Sequence, residues 1–261
     1  MTDPKILTLL CKKAQEKIPI SVEYDPSASG NLKKILPYPI DVRPIKAKGL
    51  MHRKIIVLDQ SQVFLGSANL TPSSLRHHNN LVLGLYSPPL AHFLEHPDST
   101  SFAFEIQSQK AEIFLFPDPQ KKGLLTLIEA LNNAKKTINI AMFTLTDATI
   151  KDALIKAKQR GVAVSVAIDY YTARGASKKT LTTLEKEGIN ILLSQGQELL
   201  HHKWALIDNQ TLIMGSANWT KAAFAKNHDF LLFLFSVKKK QKQFLSQLWK
   251  VIEAESISDS R

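Results

Sequence analysis

The segment HRKIIVLDQSQVFLGSAN at residues 52–69 recurs as HHKWALIDNQTLIMGSAN at residues 201–218. A long internal repeat restricts a chain to architectures built from two like units, so it is read before any local propensity. Displaced by 149 residues, His52–Ser87 lies on His201–Ser236 without a gap. Apolar positions coincide along it: Val57 on Leu206, Leu65 on Met214, Leu85 on Leu234. Displaced by 144, residues 2–25 lie on residues 146–169, with Asp3 on Asp147, Leu10 on Leu154 and Asp25 on Asp169. Only the loop before the repeated His differs in length, by five residues. The chain therefore reads as two homologous halves, a first unit over 1–110 and a second over 111–261.

The second half shows the plan of one unit. FPDPQKKGLLTLIEALNNAKK reads as a helix with Asp118 at the N-cap, Pro119 at its first position, and Leu124, Leu127, Ile128 and Leu131 at helical spacing. TINIAMFT reads as a buried strand. Asp147 caps a second helix that stops near Gly161. VAVSVAI, INILL, KWALID, TLIMG and DFLLFLF read as strands, the third and fourth joined by turn residues Asp208 and Asn209. SKKTLTTLEKEG and the tail from Lys238 to Ala254 read as helices. Strands alternating with helices predict an α/β class, two like units with mixed sheets.

The first half starts late. Thr2-Asp3 matches Thr146-Asp147, so the helix and the strand TINIAMFT that precede this point in the second half have no counterpart. The first sheet is expected to lack a strand, either because the chain is an N-terminally shortened version of a longer protein or because something else covers the bare edge. Shortening is the favoured reading, and a signal or anchor lost with the same piece is part of it. The segment MTDPKILTLLCKK lacks the order of a signal peptide, and FLLFLFSV is far short of the roughly 20 residues a membrane span needs. Location stays open on these grounds.

The repeated residues have a chemical logic. On an extended segment, residues i and i+2 share a face, so His52 and Lys54 address one point, as do His201 and Lys203. An imidazole serves as nucleophile or general acid/base near neutral pH, and an ammonium suits a phosphate oxygen. Asp59 and Asp208 complete the two sets. Ser67, Asn69, Ser216 and Asn218, beside tight turns at Gly66 and Gly215, add donors for an anionic centre. The set has no metal character: His201 and His202 are adjacent and point to opposite faces of a strand, and the single cysteine, Cys11, excludes a cysteine-based zinc site. A net charge of +11 favours polyanionic partners, whether an anionic lipid surface, nucleic acid or a phosphorylated substrate. Phe143, Tyr170, Tyr171 and Trp204 are candidates to stack on bases or face acyl chains, weighed against a plain core role. His77 and His78 read as loop surface.

His-x-Lys-x4-Asp followed by Gly-Ser-x-Asn, present twice, resembles the signature of the phospholipase D superfamily. The resemblance implies two units facing each other about a pseudo-two-fold axis, with one active site between them that a single two-copy chain can complete. It implies that one His attacks phosphorus to form a phosphohistidine and the other protonates the leaving alcohol, while Lys and Asn hold the phosphoryl oxygens without a cofactor or metal. The family places Asn-x-Glu or Asn-x-Asp downstream of each motif. The second copy has Asn227 and Asp229; the first has His78 and Asn80. If each group reaches across to the other unit, Asp229 supports His52 and Asn80 supports His201, which makes His52 the expected nucleophile and His201 the acid/base. Phospholipid at a membrane surface is the expected substrate, with an endonuclease or a non-catalytic lipid- or nucleic-acid-binding module as alternatives.

Overall fold

Asp3 and Asp147 begin matching helices, Pro4–Gln15 and Ala148–Gln159, in the computed structural model, which describes residues 1–195 and 198–258. Each carboxylate accepts two amides of the first turn, satisfying donors that a helix leaves unpaired. The backbone just ahead is tied in the same way in both halves. The amides of Thr2 and Asp3 donate to Leu70 O, and those of Thr146 and Asp147 donate to Trp219 O.

The repeat extends to strand register. Ser21–Tyr24 pairs in parallel with Asp41–Pro44, starting Ser21 opposite Asp41. Ala163–Asp169 pairs in parallel with Asn190–Ser194, with Ser165 opposite Asn190. Ile55–Leu58, Gln62–Gly66 and Val82–Tyr86 form an antiparallel three-stranded sheet. Lys203–Ile207, Thr211–Gly215 and Phe230–Leu234 form the same succession.

The halves part where the sequence stops matching. Thr137–Met142 lies between Ala163–Asp169, to which it is parallel, and Lys203–Ile207, to which it is antiparallel. It fuses the second unit into a nine-stranded sheet that also takes in the hairpin 101–115, so residue 110 lies inside this sheet. Among the described residues the first unit has no such strand, and its sheet is split into a two-stranded and a three-stranded piece.

Burial follows. One face of the long sheet, with Ile140, Ile168, Ala205, Ile213 and Leu231, packs under the helices Lys122–Asn133, Ala148–Gln159 and Lys178–Lys186. The opposite face, with Trp204, Met214 and Leu232, meets Val63 and Leu65 of the short sheet and the helices Pro88–Glu95 and Lys239–Ala254. Strands buried on both faces explain why DFLLFLF is apolar throughout rather than alternating.

One expected cap is corrected. The helix begins at Lys122, not Pro119, after Lys121 at φ 56°. Asp118 instead accepts the amides of Gln120 and Gly123, forming a turn ahead of the helix. Gly123, the second residue of the helix, packs directly on Phe114 and Phe116, where a Cβ would collide. Among the described residues no helix is long and apolar enough to cross a membrane.

Candidate active site

The two repeated His residues meet at the junction of the halves. The residues just before each one are bridged to the opposite unit. Leu199–Leu200 pairs with His78–Asn79, and Met51 bridges to His228. The amide of His52 donates to His228 O at 2.9 Å, and that of His201 donates to Asn79 O at 3.0 Å. These four residues occupy equivalent places in the repeat, so the junction has pseudo-two-fold symmetry.

Each imidazole is held by a side chain from the other half. Nδ1 of His52 lies 2.7 Å from Asp229 Oδ1; the carboxylate can only accept, so the proton sits on Nδ1. Nδ1 of His201 lies 3.0 Å from Asn80 Oδ1. The orientation of Asn80 is fixed because its Nδ2 donates to the carbonyls of Ser74 and His78. Both rings therefore present Nε2 for chemistry. Ser216 donates to Asp229 at 2.7 Å while accepting the amide of Phe230; Ser67 donates to Asn80 at 2.9 Å while accepting the amide of Leu81. The two serines were expected to be donors for an anion, and instead they orient the groups that orient the imidazoles. Gly66 and Gly215 are not tight turns. A Cβ there would collide with the carbonyls of Leu81 and Phe230, so glycine lets each Ser-bearing segment lie against the neighbouring strand.

Lys54 Nζ donates to His52 O at 2.6 Å, and Lys203 Nζ to His201 O at 3.0 Å. Burial pushes Lys54 down to about 7, against the pull of Asp229. Burial and then the charge of Lys54 push Lys203 well below the usual lysine range. Two buried amines whose charged forms burial disfavours, one of them further depressed by the other, form a site that an anion would relieve. Burial, then the charges of Lys203 and Lys54, lower His201 to about 2, so it is neutral in the free protein. Burial also lowers His52, although its bond to Asp229 opposes the shift. Asp229 is itself held below the usual carboxylate range: burial opposes ionisation, but the bond from His52 and its charge prevail.

The structure does not bring Asp59 or Asp208 to this centre. Both occupy turns with left-handed backbone at the far end of their hairpins, about 16 Å from the lysines by strand rise. Asp208 accepts the amides of Lys135, Lys136 and Thr137 at 2.7–2.9 Å, clamping the start of the strand Thr137–Met142. Its role is structural, and Asp59 faces the place where that strand is missing from the first half. Asn69 accepts support through its backbone, its amide donating to Ser74 Oγ, whereas Asn218 keeps a buried Oδ1 with no partner among the described residues.

Phe143 meets His201 edge-on with centroids 5.0 Å apart, and Lys203 Nζ lies 5.1 Å from its ring. Trp204 is core, packed on Trp249; Tyr171 is exposed, and Tyr170 carries the Arg174 guanidinium over its ring. His78 was expected on the loop surface. It lies beside His201 instead, centroids 5.8 Å apart, with a buried Nδ1 that has no partner among the described residues. Two acids went unassigned in the sequence. Asp25 accepts the amide of Met51, and Asp169 that of Leu200, each bracing the residue before a repeated His. The 144-residue alignment pairs them, and in the structure each also caps the short helix that follows it.

The family model described as cardiolipin synthase, PLD-like domain, matches residues 7–96 and 127–253. Mitochondrial cardiolipin hydrolase of Danio rerio is 30% identical over 141 residues, 52% of this chain and 60% of that protein. The chain thus spans about 60% of the length of that relative and of its Chlamydomonas reinhardtii counterpart. Among solved structures, Nuc of Salmonella typhimurium, a phospholipase D family member, superposes with a TM-score of 0.54 at 25% identity, covering 57% of this chain and 97% of that one. Phosphatidylserine synthase of Haemophilus influenzae superposes with a TM-score of 0.75 over 97% of this chain and 78% of that one; at 12% identity it is a likeness of fold.

Proposed function

The chain belongs to the phospholipase D superfamily, in the family described as cardiolipin synthase, PLD-like domain, and on that premise we propose that it cleaves phospholipid phosphodiesters, by hydrolysis or head-group transfer, through a phosphohistidine. The observation that carries the reading is the crossed pair of imidazoles, each held at Nδ1 by the opposite half, over two buried lysines. The phosphodiester sits between Lys54 and Lys203, where an anion offsets the cost of burying their charges. His52 Nε2 attacks phosphorus as the P–O bond to the leaving alcohol breaks, and His201 Nε2 delivers the proton to that oxygen. His201 then takes a proton from water or an acceptor alcohol, whose oxygen displaces His52. Burial is the largest cause of the depression on His201 and stays when substrate binds, but the anion offsets the cationic part and so raises this residue's affinity for the proton it delivers.

His52 is assigned as the nucleophile because a phosphorylated imidazole with Nδ1 protonated carries a positive charge for the life of the intermediate. Asp229 offers a carboxylate to that charge and Asn80 does not. The similarity to cardiolipin hydrolase favours lipid. A second reading, a metal-independent endonuclease, has the likeness to Nuc and the net charge of +11 in its favour. The test is turnover of cardiolipin and phosphatidylglycerol vesicles beside single-stranded and plasmid DNA. Head-group or phosphatidate release that His201→Ala abolishes supports the lipid reading. DNA cleavage without lipid turnover replaces it. Binding of either with no turnover of these substrates or of bis(p-nitrophenyl) phosphate points to a non-catalytic module.

A further inference from the structure

On the reading above, in which His201 is the general acid, we propose that His78 is its proton-relay residue. The two imidazoles carry at most one proton between them, which enters from solvent at His78 and passes to His201 when a phosphodiester binds. His78 lies beside His201 with ring centroids 5.8 Å apart, and its Nδ1 is buried without a partner among the described residues.

The two halves use this position differently. The repeat places Asn227 where the first half has His78. Asn227 is committed at both ends of its amide: Oδ1 accepts the amide of Leu50 at 3.1 Å, and Nδ2 donates to Asp229 Oδ2 at 3.3 Å. At His78 the backbone does the bracing. Its two-residue strand pairs with Leu199–Leu200, and its carbonyl accepts Asn80 Nδ2 at 3.0 Å. The imidazole takes no part in these bonds. A ring relieved of that duty and set against the general acid is suited to moving a proton.

The need for one lies in His201. That imidazole is buried and neutral in the free protein, yet it must hold a proton on Nε2 when the leaving alcohol departs. Asn80 offers no charge to imidazolium, and the charges that bear most on His201 are all cationic. His78 is half-buried, so solvent reaches it. Burial and then the charge of His77 lower it, and Lys203 acts in the same sense, but the carboxylates of Glu198 and Asp169 oppose them. Glu255 accepts from Asn79 Nδ2 next to it. His78 is therefore the easier of the pair to protonate before substrate arrives, and two cationic rings at this spacing exclude each other. An anion between Lys54 and Lys203 shifts the preference. The proton leaves a His78 nitrogen and reaches His201 Nε2 through one water, and His78 is left neutral. When product departs, the proton returns to solvent by the same path.

Imidazole NMR of the wild-type protein reads the order of protonation. As pH falls, His78 should titrate before His201 in the free protein, and with dimethyl phosphate bound the first proton should appear on His201. The opposite order in the free protein, or an order unchanged by dimethyl phosphate, overturns the proposal. Turnover separates a relay from a structural role. His78→Asn should lower kcat on phosphatidylglycerol at least about tenfold with KM nearly kept. Its rate on bis(p-nitrophenyl) phosphate should stay within about twofold, because nitrophenolate leaves without a proton. Added imidazole should restore the lipid turnover. Equal losses on both substrates without such rescue mean a structural role and count against the relay, as do unchanged rates on both. Should His78→Asn fail to fold, His78→Gln takes its place, and the wild-type titration decides without either. If the wild-type protein turns over neither substrate, the proposed function fails, and the titration order still decides whether the pair shares a proton.

Discussion

His52 and His201 are equivalent in the repeat and live in unlike surroundings. His52 faces a carboxylate, on a half whose outer sheet face is bare. His201 faces an amide, backed by Phe143, on a half with a continuous core. The backbone frame is common to both: the crossed amide bonds, the Lys-to-carbonyl bonds and the Ser beneath each partner recur atom for atom. Geometry is thus kept identical while electrostatics diverge. Two rings with the same aim but different charge stabilisation suit two different steps of one reaction.

The largest expected effect tests whether the roles are divided at all. His52→Ala and His201→Ala should each lower turnover on the order of a thousandfold or more. Enzyme quenched in alkaline denaturant, where the N–P bond survives, should show phosphohistidine in His201→Ala given bis(p-nitrophenyl) phosphate, whose leaving group needs no proton, and none in His52→Ala. Label on His201 in the wild-type protein would reverse the assignment. Next comes the partner swap. Asp229→Asn should cost about a hundredfold in kcat with binding nearly kept. Asn80→Asp should move the titration of His201 upward by about one to three units, seen by NMR of the imidazole.

A third comparison separates the two Asp residues that the motif treats alike. Asp208→Ala frees three amides and should destabilise the protein by about 2–3 kcal/mol in urea unfolding. Asp59→Ala should stay within about 0.5 kcal/mol. Similar losses would mean that Asp59 has a partner of its own. The smallest effect is on pH. Folded Lys54 holds its proton only below about 7, so dimethyl phosphate, a monoanion throughout this range, should bind on the order of tenfold more weakly at pH 9 than at pH 6. Binding near pH 8 should take up protons, measurable by calorimetry in buffers of different ionisation enthalpy. Stability should run the other way. Between about 7 and the ordinary lysine value near 10.4, the unfolded chain keeps a proton that folded Lys54 has released, so stability rises with pH, and bound anion should flatten that rise.

Much of this was legible before any coordinates. The repeat carried the fold, because matching apolar periods and matching Asp caps at residues 3 and 147 mean matching elements. The absence of a strand followed from where the match begins. The alignment made Asp229 and Asn80 equivalent, and their reach to the opposite His was what the family resemblance implied. Other features depend on what lies across space. Nothing local distinguishes a Ser that donates to a ligand from Ser216, which donates to Asp229. The position of Asp208 beside residues 135–137 depends on a strand pairing more than sixty residues away in sequence. His78 looked like loop because a two-residue strand has no period to read. The start of the helix at Lys122, with Gly123 against Phe114 and Phe116, is likewise not carried by the cap signal at Asp118.

The crossed support of the two imidazoles carries a further consequence. In an assembly of two identical subunits, one gene writes both sides of the axis, so each His must receive the same partner and neither can specialise. Joining the copies in one chain breaks that constraint: Asp229 and Asn80 can be altered independently, and each alteration is felt by the opposite half. Covalent linkage here does more than hold two pieces together, since it allows a symmetric frame to host a division of labour.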